Sequence, residues 1–417
     1  MSPVVDAAGS PSTQAGSGDL VADRPGHRIL VVAPQPFYQD RGTPIALRQV
    51  LEALSELGHR VELLTFPVGQ DIDLPGLRIL RTANPLGLSH VPIGLSPQKL
   101  LLDVSLVSAL RQRLRSERYT CVHAVEEAAF PAAVLARHYG IPLLYDMQSS
   151  LPEQLQQRWP FGLTPIRQSL DAAERWLLTR ADYVVGSAGL AERVGRIAPN
   201  TPVREWRFPS DSSTADPAAT LALRERLGIA LDARVVLYSG TFESYQGLPE
   251  LIDAIPLVLA QAPETKFVLV GGDRANGFAS SESVVPLLAS GALRLIDRQP
   301  RSAIAAYHAM ADVLVSPRAY GGNLPLKVFD YLAAGRPIVA TDIPTHRTIL
   351  TEERAVLVAP ESGSIAAGIL SLLTQPERAA RIARAALGYA REHLAWDAFV
   401  RSVEEIYEEV HRYAART

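Results

Sequence analysis

Cysteine occurs once in 417 residues, at Cys121, so the chain can form neither an internal disulfide nor a Cys-rich zinc site. That scarcity points to a reducing compartment. An excess of one charge is also missing: the formal net charge is −3, and nothing global favours a nucleic-acid partner. Long hydrophobic runs are absent, since Asp, Arg or Pro interrupts each one well short of the ~20 residues that span a bilayer. Residues 1–26 lack a basic start and a continuous apolar segment, and their Gly, Ser, Pro and Ala content predicts a disordered tail, not a signal peptide. The expected location is cytoplasmic, with peripheral contact at the inner face of the cell membrane left open. Two nucleotide signatures are missing as well. No G-x-G-x-x-G is followed by an acid ~20 residues later, and no GxxxxGK[ST] occurs, which argues against nicotinamide dinucleotide and P-loop chemistry. Lysine is scarce: of 41 Lys and Arg residues, only Lys99, Lys266 and Lys327 are lysine.

What is present is an ordinary globular composition, 47% hydrophobic and 20% charged, in a chain long enough for two domains. Strand and helix signals alternate. RILVVAP at Arg28 is a buried-strand run, followed by apolar Ile45, Val50, Leu51, Leu54 and Leu57 at helical spacing, with Thr43 suited to the N-cap and Pro44 to the first helical position. RVELLTF, CVHAV, IPLLYDM and RADYVVGSA continue the pattern. Pro209–Thr220 (PSDSSTADPAAT) breaks it and reads as a linker, after which RVVLYSG, KFVLVGG, ALRLID, DVLVSP and PIVATD resume it. This syntax predicts two doubly wound α/β domains in tandem, with ligands beyond the carboxyl ends of the strands.

Those strand ends hold the candidates. Gly42 and Thr43 open the first helix, where free N–H groups meet anions, although glycine there also serves steric needs. Gly240 and Thr241 end one later strand, and Gly271 and Gly272 another. The most specific stretch is Pro317–Asp342, PRAYGGNLPLKVFDYLAAGRPIVATD, a Gly-rich turn into a helix with Lys327 in its first turn. A cation at a helix start is unfavourable unless an anion lies between them, and a compact ammonium grips phosphate as a point charge. Asp330, three residues on, can accept two hydrogen bonds from ribose hydroxyls, and Arg318 adds a phosphate donor. The plainer alternative is a surface Lys327–Asp330 pair worth a few tenths of a kcal/mol.

PLKVFDYLAAGRPIVATD, together with YSGTFESYQGLPELIDAI and the early RGTP turn, resembles the family 4 retaining glycosyltransferases of the GT-B fold, from about Arg28 to the C-terminus. The resemblance implies two facing doubly wound Rossmann-like domains with a cleft between them: 27–208 on the acceptor side, a linker at 209–220, 221–394 holding the donor, and 395–417 as a helix crossing back. It implies a nucleotide-diphosphate sugar donor, a glycan, glycolipid or small-molecule acceptor, retention by a front-face transfer, and no required metal or other cofactor. The donor site it points to comprises Gly42, Thr43, Gly240, Thr241, Gln246, Gly272, Arg318, Asn323, Leu324, Lys327 and Asp330. Departures are evident. Family members commonly carry two glutamates separated by seven residues; Asp330 matches the second, and Gly322 stands at the first. The Arg and Lys that often clasp the diphosphate correspond to Thr241 and Gln246, and the second His of the usual HxH is Val125. Lys327, Arg318 and Arg41 are the cations available to replace them from the other side of the cleft.

On the first domain, Glu126 or Glu127 is placed to stabilise charge at the anomeric carbon or to orient an acceptor hydroxyl, or else to cap a helix. Asp146, Gln148 and Ser149 end another strand as acceptor-side candidates, while His123 reads as either packed or functional. Asp71 to Asp73 imitate a DxD motif but read as a surface turn. The helix near LSPQKLLLDVSLVSALRQRLRSER, with Lys99, Arg111, Arg113, Arg115 and Arg118, covers the domain or rests on anionic lipid that presents a lipid-linked acceptor. The leading function is transfer of a hexose, with Glu126 and Lys327 as catalytic candidates. The alternatives are a catalytically degenerate sugar-nucleotide-binding or scaffold protein and a sugar epimerase of the same fold.

Overall fold

The computed structural model describes residues 26–39, 42–85, 87–91, 96–152, 164–210, 215–272, 277–320 and 326–414. Nearly all of the expected tail, the centre of the linker, Arg41 and residues 321–325, which include Asn323 and Leu324, lie outside these. Two parallel sheets organise the rest. The first contains β1 (Arg28–Ala33), β2 (Arg60–Thr65), β3 (Leu77–Arg81), β4 (Cys121–Val125), β5 (Leu143–Met147), β6 (Tyr183–Gly186) and β7 (Val203–Glu205). Its order is β3-β2-β1-β4-β5-β6-β7. The second contains β8 (Val235–Ser239), β9 (Lys266–Gly272), β10 (Leu293–Asp297), β11 (Val313–Ser316), β12 (Ile338–Thr341) and β13 (Val356–Val358), in the order β10-β9-β8-β11-β12-β13.

The central strands β4, β5, β6 and β8 are buried along their whole length, because helices cover both faces of a parallel sheet. Their largely apolar runs, interrupted by the buried His123 in β4 and Asp146 in β5, are what made the pattern readable. Edge strands β3 and β7 are half-exposed and shorter on apolar signal. The strand order reverses between β1 and β4 in one sheet and between β8 and β11 in the other, which makes these the two switch points. The carboxyl ends of the sheets approach each other: a Cβ on Gly189, just after β6, would lie 3.8 Å from the methyl of Thr348, which follows β12.

The final helix, Trp396–Ala414, follows the second sheet in sequence yet lies against the first. Trp396 Nε1 donates to Glu56 at 2.7 Å, Arg204 pairs with Glu405 at 2.6 Å, and Phe399 packs beside Trp206 and Phe208. Two local boundaries differ from the sequence reading. The first helix, Gly42–Glu56, begins one residue before the proposed cap, so Thr43 is in its first turn. Pro217–Thr220, read as linker, forms the first turn of helix Pro217–Arg226, because Asp216 caps it by accepting from Ala218 N at 2.9 Å and proline suits the first position.

Candidate functional site

The switch point of the second sheet brings together two turns that are far apart in sequence. One runs from β8 through Gly240 and Gln246 to helix Leu248–Leu259, and the other leaves β11 at Pro317 and Arg318. The backbone joins them, Ala319 N donating to Tyr245 O at 3.0 Å. Lys327, the first residue of the short helix Lys327–Ala333, reaches between these turns. Its Nζ donates to Gln246 Oε1 at 2.8 Å and lies 4.0 Å from the centre of the Tyr238 ring. Gly240, at φ +144°, leaves the space: a Cβ there would sit 3.1 Å from Lys327 Nζ and 3.0 Å from the Tyr238 hydroxyl. Part of the lysine stem reaches solvent, but burial of the amine, with the charge of Arg318 added, holds its pKa well below the ordinary lysine value.

Arg318 is buried, lies over the Tyr245 ring at 5.1 Å and donates Nε to Tyr320 O at 2.9 Å, and burial lowers its pKa too. Neither cation bonds a carboxylate among the described residues. Behind Arg318 stands a buried relay. Thr341 Oγ1 donates to Arg318 O at 2.5 Å, His346 Nδ1 lies 2.8 Å from Thr341 O, and His346 Nε2 lies 3.0 Å from Ser316 Oγ. A carbonyl accepts only, so Nδ1 carries the proton and Nε2 accepts from Ser316. Burial, reinforced by Lys327 and Arg318, lowers this imidazole to about 4.

The remaining donor-side candidates are more scattered. Thr241 contributes its carbonyl to the Tyr238 hydroxyl at 2.6 Å. Gly272 packs against Phe242, whose ring would lie 2.5 Å from any Cβ there, at a shallow crevice also lined by Phe278 and Asp297. Asp330 pairs with Arg301 at 3.5 Å, so Lys327 and Asp330 turn to different partners. Gly42 faces open space, with Thr43 half-buried beside it.

On the first domain, Glu126 immediately follows β4 at the switch point and is the one non-glycine among the described residues with positive φ, +51°. That conformation costs a side chain roughly 1–2 kcal/mol, and such strain collects at functional positions. Its carboxylate accepts from Ser149 Oγ at 2.9 and 3.1 Å. Burial pushes its pKa up to about 7, the Ser149 bond opposing and the Asp146 charge adding. Glu127 instead pairs with Lys99. Asp146 is buried, accepting from Gln148 at 2.7 Å and from Trp206 Nε1 at 3.1 Å. His123 is a fully buried strand residue, its Nδ1 2.6 Å from the Tyr407 hydroxyl and its Nε2 3.4 Å from Asp146 without hydrogen-bond geometry.

Several participants gave no local signal. Tyr238, His346, Thr341 and Arg301 act through residues 5 to 89 positions away in sequence. Among the described residues no group of three or more His, Cys, Asp or Glu is arranged to hold a metal ion.

Two facing Rossmann-like domains with paired switch points define the GT-B architecture of sugar transferases. A family described as Glycosyl transferases group 1 matches residues 220–388, and a Glycosyl transferase 4-like domain matches residues 41–204. The chain belongs to this family 4-like glycosyltransferase group. It is 26% identical over 409 residues to a D-inositol 3-phosphate glycosyltransferase from Thermobispora bispora, covering 89% of this chain and 91% of that one. It is 26% identical over 398 residues to a phosphatidyl-myo-inositol mannosyltransferase from Mycolicibacterium smegmatis, covering 92% and 94%. Its fold is similar to sucrose-phosphate synthase from Thermosynechococcus elongatus, with TM-score 0.76, 20% identity and coverage of 93% and 99%. Anabaena HepE, solved with UDP, gives TM-score 0.71 at 18% identity, covering 91% and 98%.

Proposed function

We propose that this glycosyltransferase holds a nucleotide-diphosphate sugar with its diphosphate against Lys327 and Arg318, and transfers the hexose with retention to a hydroxyl presented from the first domain. The observation that carries this is the pair of cations, the partly exposed Lys327 and the buried Arg318, that bond no carboxylate among the described residues. A buried charge costs several kcal/mol unless it is compensated, and a diphosphate supplies that compensation. Lys327 donates to the side chain at position 246, the position that the family resemblance assigns to a clasping lysine, so in this reading the amine is supplied from across the switch point. Gly240, Thr241, Gln246, Gly272, Asn323, Leu324 and Asp330 complete the donor side in this reading, with Gly42 and Thr43 at the facing helix start.

In the transfer, the bond from the anomeric carbon to the diphosphate oxygen breaks, the acceptor oxygen bonds on the same face, and its proton passes to the leaving diphosphate. Glu126 in its anionic form stabilises the positive charge that develops at carbon, while Gln148 and Ser149 line the acceptor side over the buried Asp146. The names of the curated relatives support a phosphorylated cyclitol or its lipid-linked form as acceptor. Helix Pro97–Ser116 supports peripheral contact with an anionic membrane, since Leu100, Leu101 and Val104 are exposed, although Lys99 and Arg113 turn inward to Glu127 and Glu62. No described helix is long and apolar enough to cross a membrane.

The test begins with a thermal-shift panel of UDP-, GDP- and ADP-sugars, followed by calorimetry with the one that stabilises. Lys327→Ala is expected to weaken that donor about 30- to 100-fold, through loss of a charge-assisted contact. Gln246→Lys combined with Lys327→Gln returns the amine to position 246 and is expected to recover most of it. Equal affinity of Lys327→Ala and the wild type would refute the assignment.

A further inference from the structure

The amino-terminal ends of β1, β2 and β3 form a groove of about 430 Å³ lined by Arg28, Arg60, Val61, Glu62, Gly76 and Arg78. This is the edge of the first sheet opposite the candidate site, ~20 Å away along strands of six residues. Strand register explains how the arginines meet. Parallel pairing sets Arg28 beside Arg60 and Glu62 beside Arg78, and alternate residues of a strand share a face, so all four side chains lie on one face of the sheet.

The carboxylates in reach are already engaged. Glu62 accepts from Arg28 at 3.3 Å, from the Tyr119 hydroxyl at 2.5 Å and from Arg113, and Glu117 lies 2.8 Å from Arg28. Four guanidinium groups thus face two carboxylates. Arg60 and Arg78 have no side-chain hydrogen bond or ion pair among the described residues. Glu62 and Glu117 neutralise Arg28, whereas Arg60 beside it and Arg78 beside Glu62 carry charges that these engaged carboxylates do not balance. Strand spacing puts Arg60 and Arg78 ~8 Å apart at their Cα atoms. Two guanidinium forks at that distance can each take a pair of oxygens from one polyphosphate. Gly76, at φ +76°, brings its backbone against the start of β2: a Cβ there would lie 2.5 Å from His59 O.

We propose that this groove is a second anion site, taking a ligand that carries two or more phosphate charges on the side of the first domain remote from sugar transfer. The shared chemistry is phosphate, from a soluble phosphorylated metabolite or from a phospholipid head group.

The test is calorimetric titration of the full chain with tripolyphosphate at low and at physiological salt. Two exposed arginines are replaced, Arg60→Gln with Arg78→Gln, a change that leaves the core untouched. Measured in the Lys327→Ala background, which removes the donor-side phosphate contact and is expected to retain the groove's binding, the double variant is expected to weaken tripolyphosphate about tenfold or more, through lost charge-assisted contacts. Sedimentation with vesicles containing phosphatidic acid, whose phosphomonoester carries up to two charges, separates the sources. Loss of vesicle binding in the double variant, with competition by tripolyphosphate, assigns the head group, whereas binding of tripolyphosphate alone assigns a soluble ligand. A double variant that binds tripolyphosphate like its Lys327→Ala parent, or a parent that binds none at low salt, overturns the site.

Discussion

Replacing Glu126 by glutamine fixes the neutral form of the carboxyl group at the first domain's switch point while keeping an oxygen for Ser149. In the wild type, burial lets the folded protein hold this proton up to about 7, whereas the unfolded chain releases it near the ordinary 4.5. Between those values the folded state binds more protons than the unfolded one, so its stability falls as pH rises. At about 1.4 kcal/mol per pH unit the loss is roughly 3 kcal/mol, reduced to about 2 by the partial solvent contact of the side chain. The contribution is complete below pH 4.5 and gone above pH 7. Glu126→Gln does not titrate. It is therefore expected to match the wild type near pH 4.5 and to exceed it by about 2 kcal/mol at pH 8.5. Urea unfolding followed by tryptophan fluorescence reads this, because Trp176 and Trp206 both belong to the first domain. If the anion is the active form, the wild-type rate rises with pH through about 7 and that limb disappears in the variant. A stability difference that stays constant from pH 4.5 to 8.5 would refute the reasoning, since only titration of this buried group produces the slope.

Two further outcomes are expected. His346 is neutral in the fold down to about 4, while the unfolded chain protonates below 6.5, so stability drops as pH falls through that window, by about 2 kcal/mol at pH 5. His346→Gln is expected to be less stable than the wild type at pH 7.5 by about 1–2 kcal/mol and to close that gap at pH 5; parallel melting-temperature curves would remove the relay behind Arg318. Leu100→Ser, Leu101→Ser and Val104→Ser together are expected to abolish sedimentation with anionic vesicles without changing donor affinity, and unchanged sedimentation would assign membrane contact elsewhere.

The readability of the fold followed burial. Strands such as Tyr183–Gly186 and Val235–Ser239 lie between two helical layers, so nearly every residue is apolar and the run stands out in sequence, while the buried His123 and Asp146 interrupt the runs of Cys121–Val125 and Leu143–Met147. Leu77–Arg81 and Val203–Glu205 lie at sheet edges, where one side meets solvent, and Arg and Glu break their apolar runs, while the edge strand Val356–Val358 is apolar but only three residues long. The helix at Pro217 was legible from its Asp-Pro start but hidden by its polar composition.

The sequence by itself determined the alternation of strand and helix, the glycine turns at strand ends and the presence of a lone lysine in the Pro317–Asp342 stretch, because each depends on neighbours within a few positions. Only the tertiary structure decided what those groups meet. Lys327 finds Gln246 across 81 residues and His123 finds Tyr407 across 284, while Asp330 is drawn to Arg301 and not to the lysine three positions away. Partners chosen by strand order and packing have no fixed spacing along the chain, and for that reason composition and periodicity could not name them.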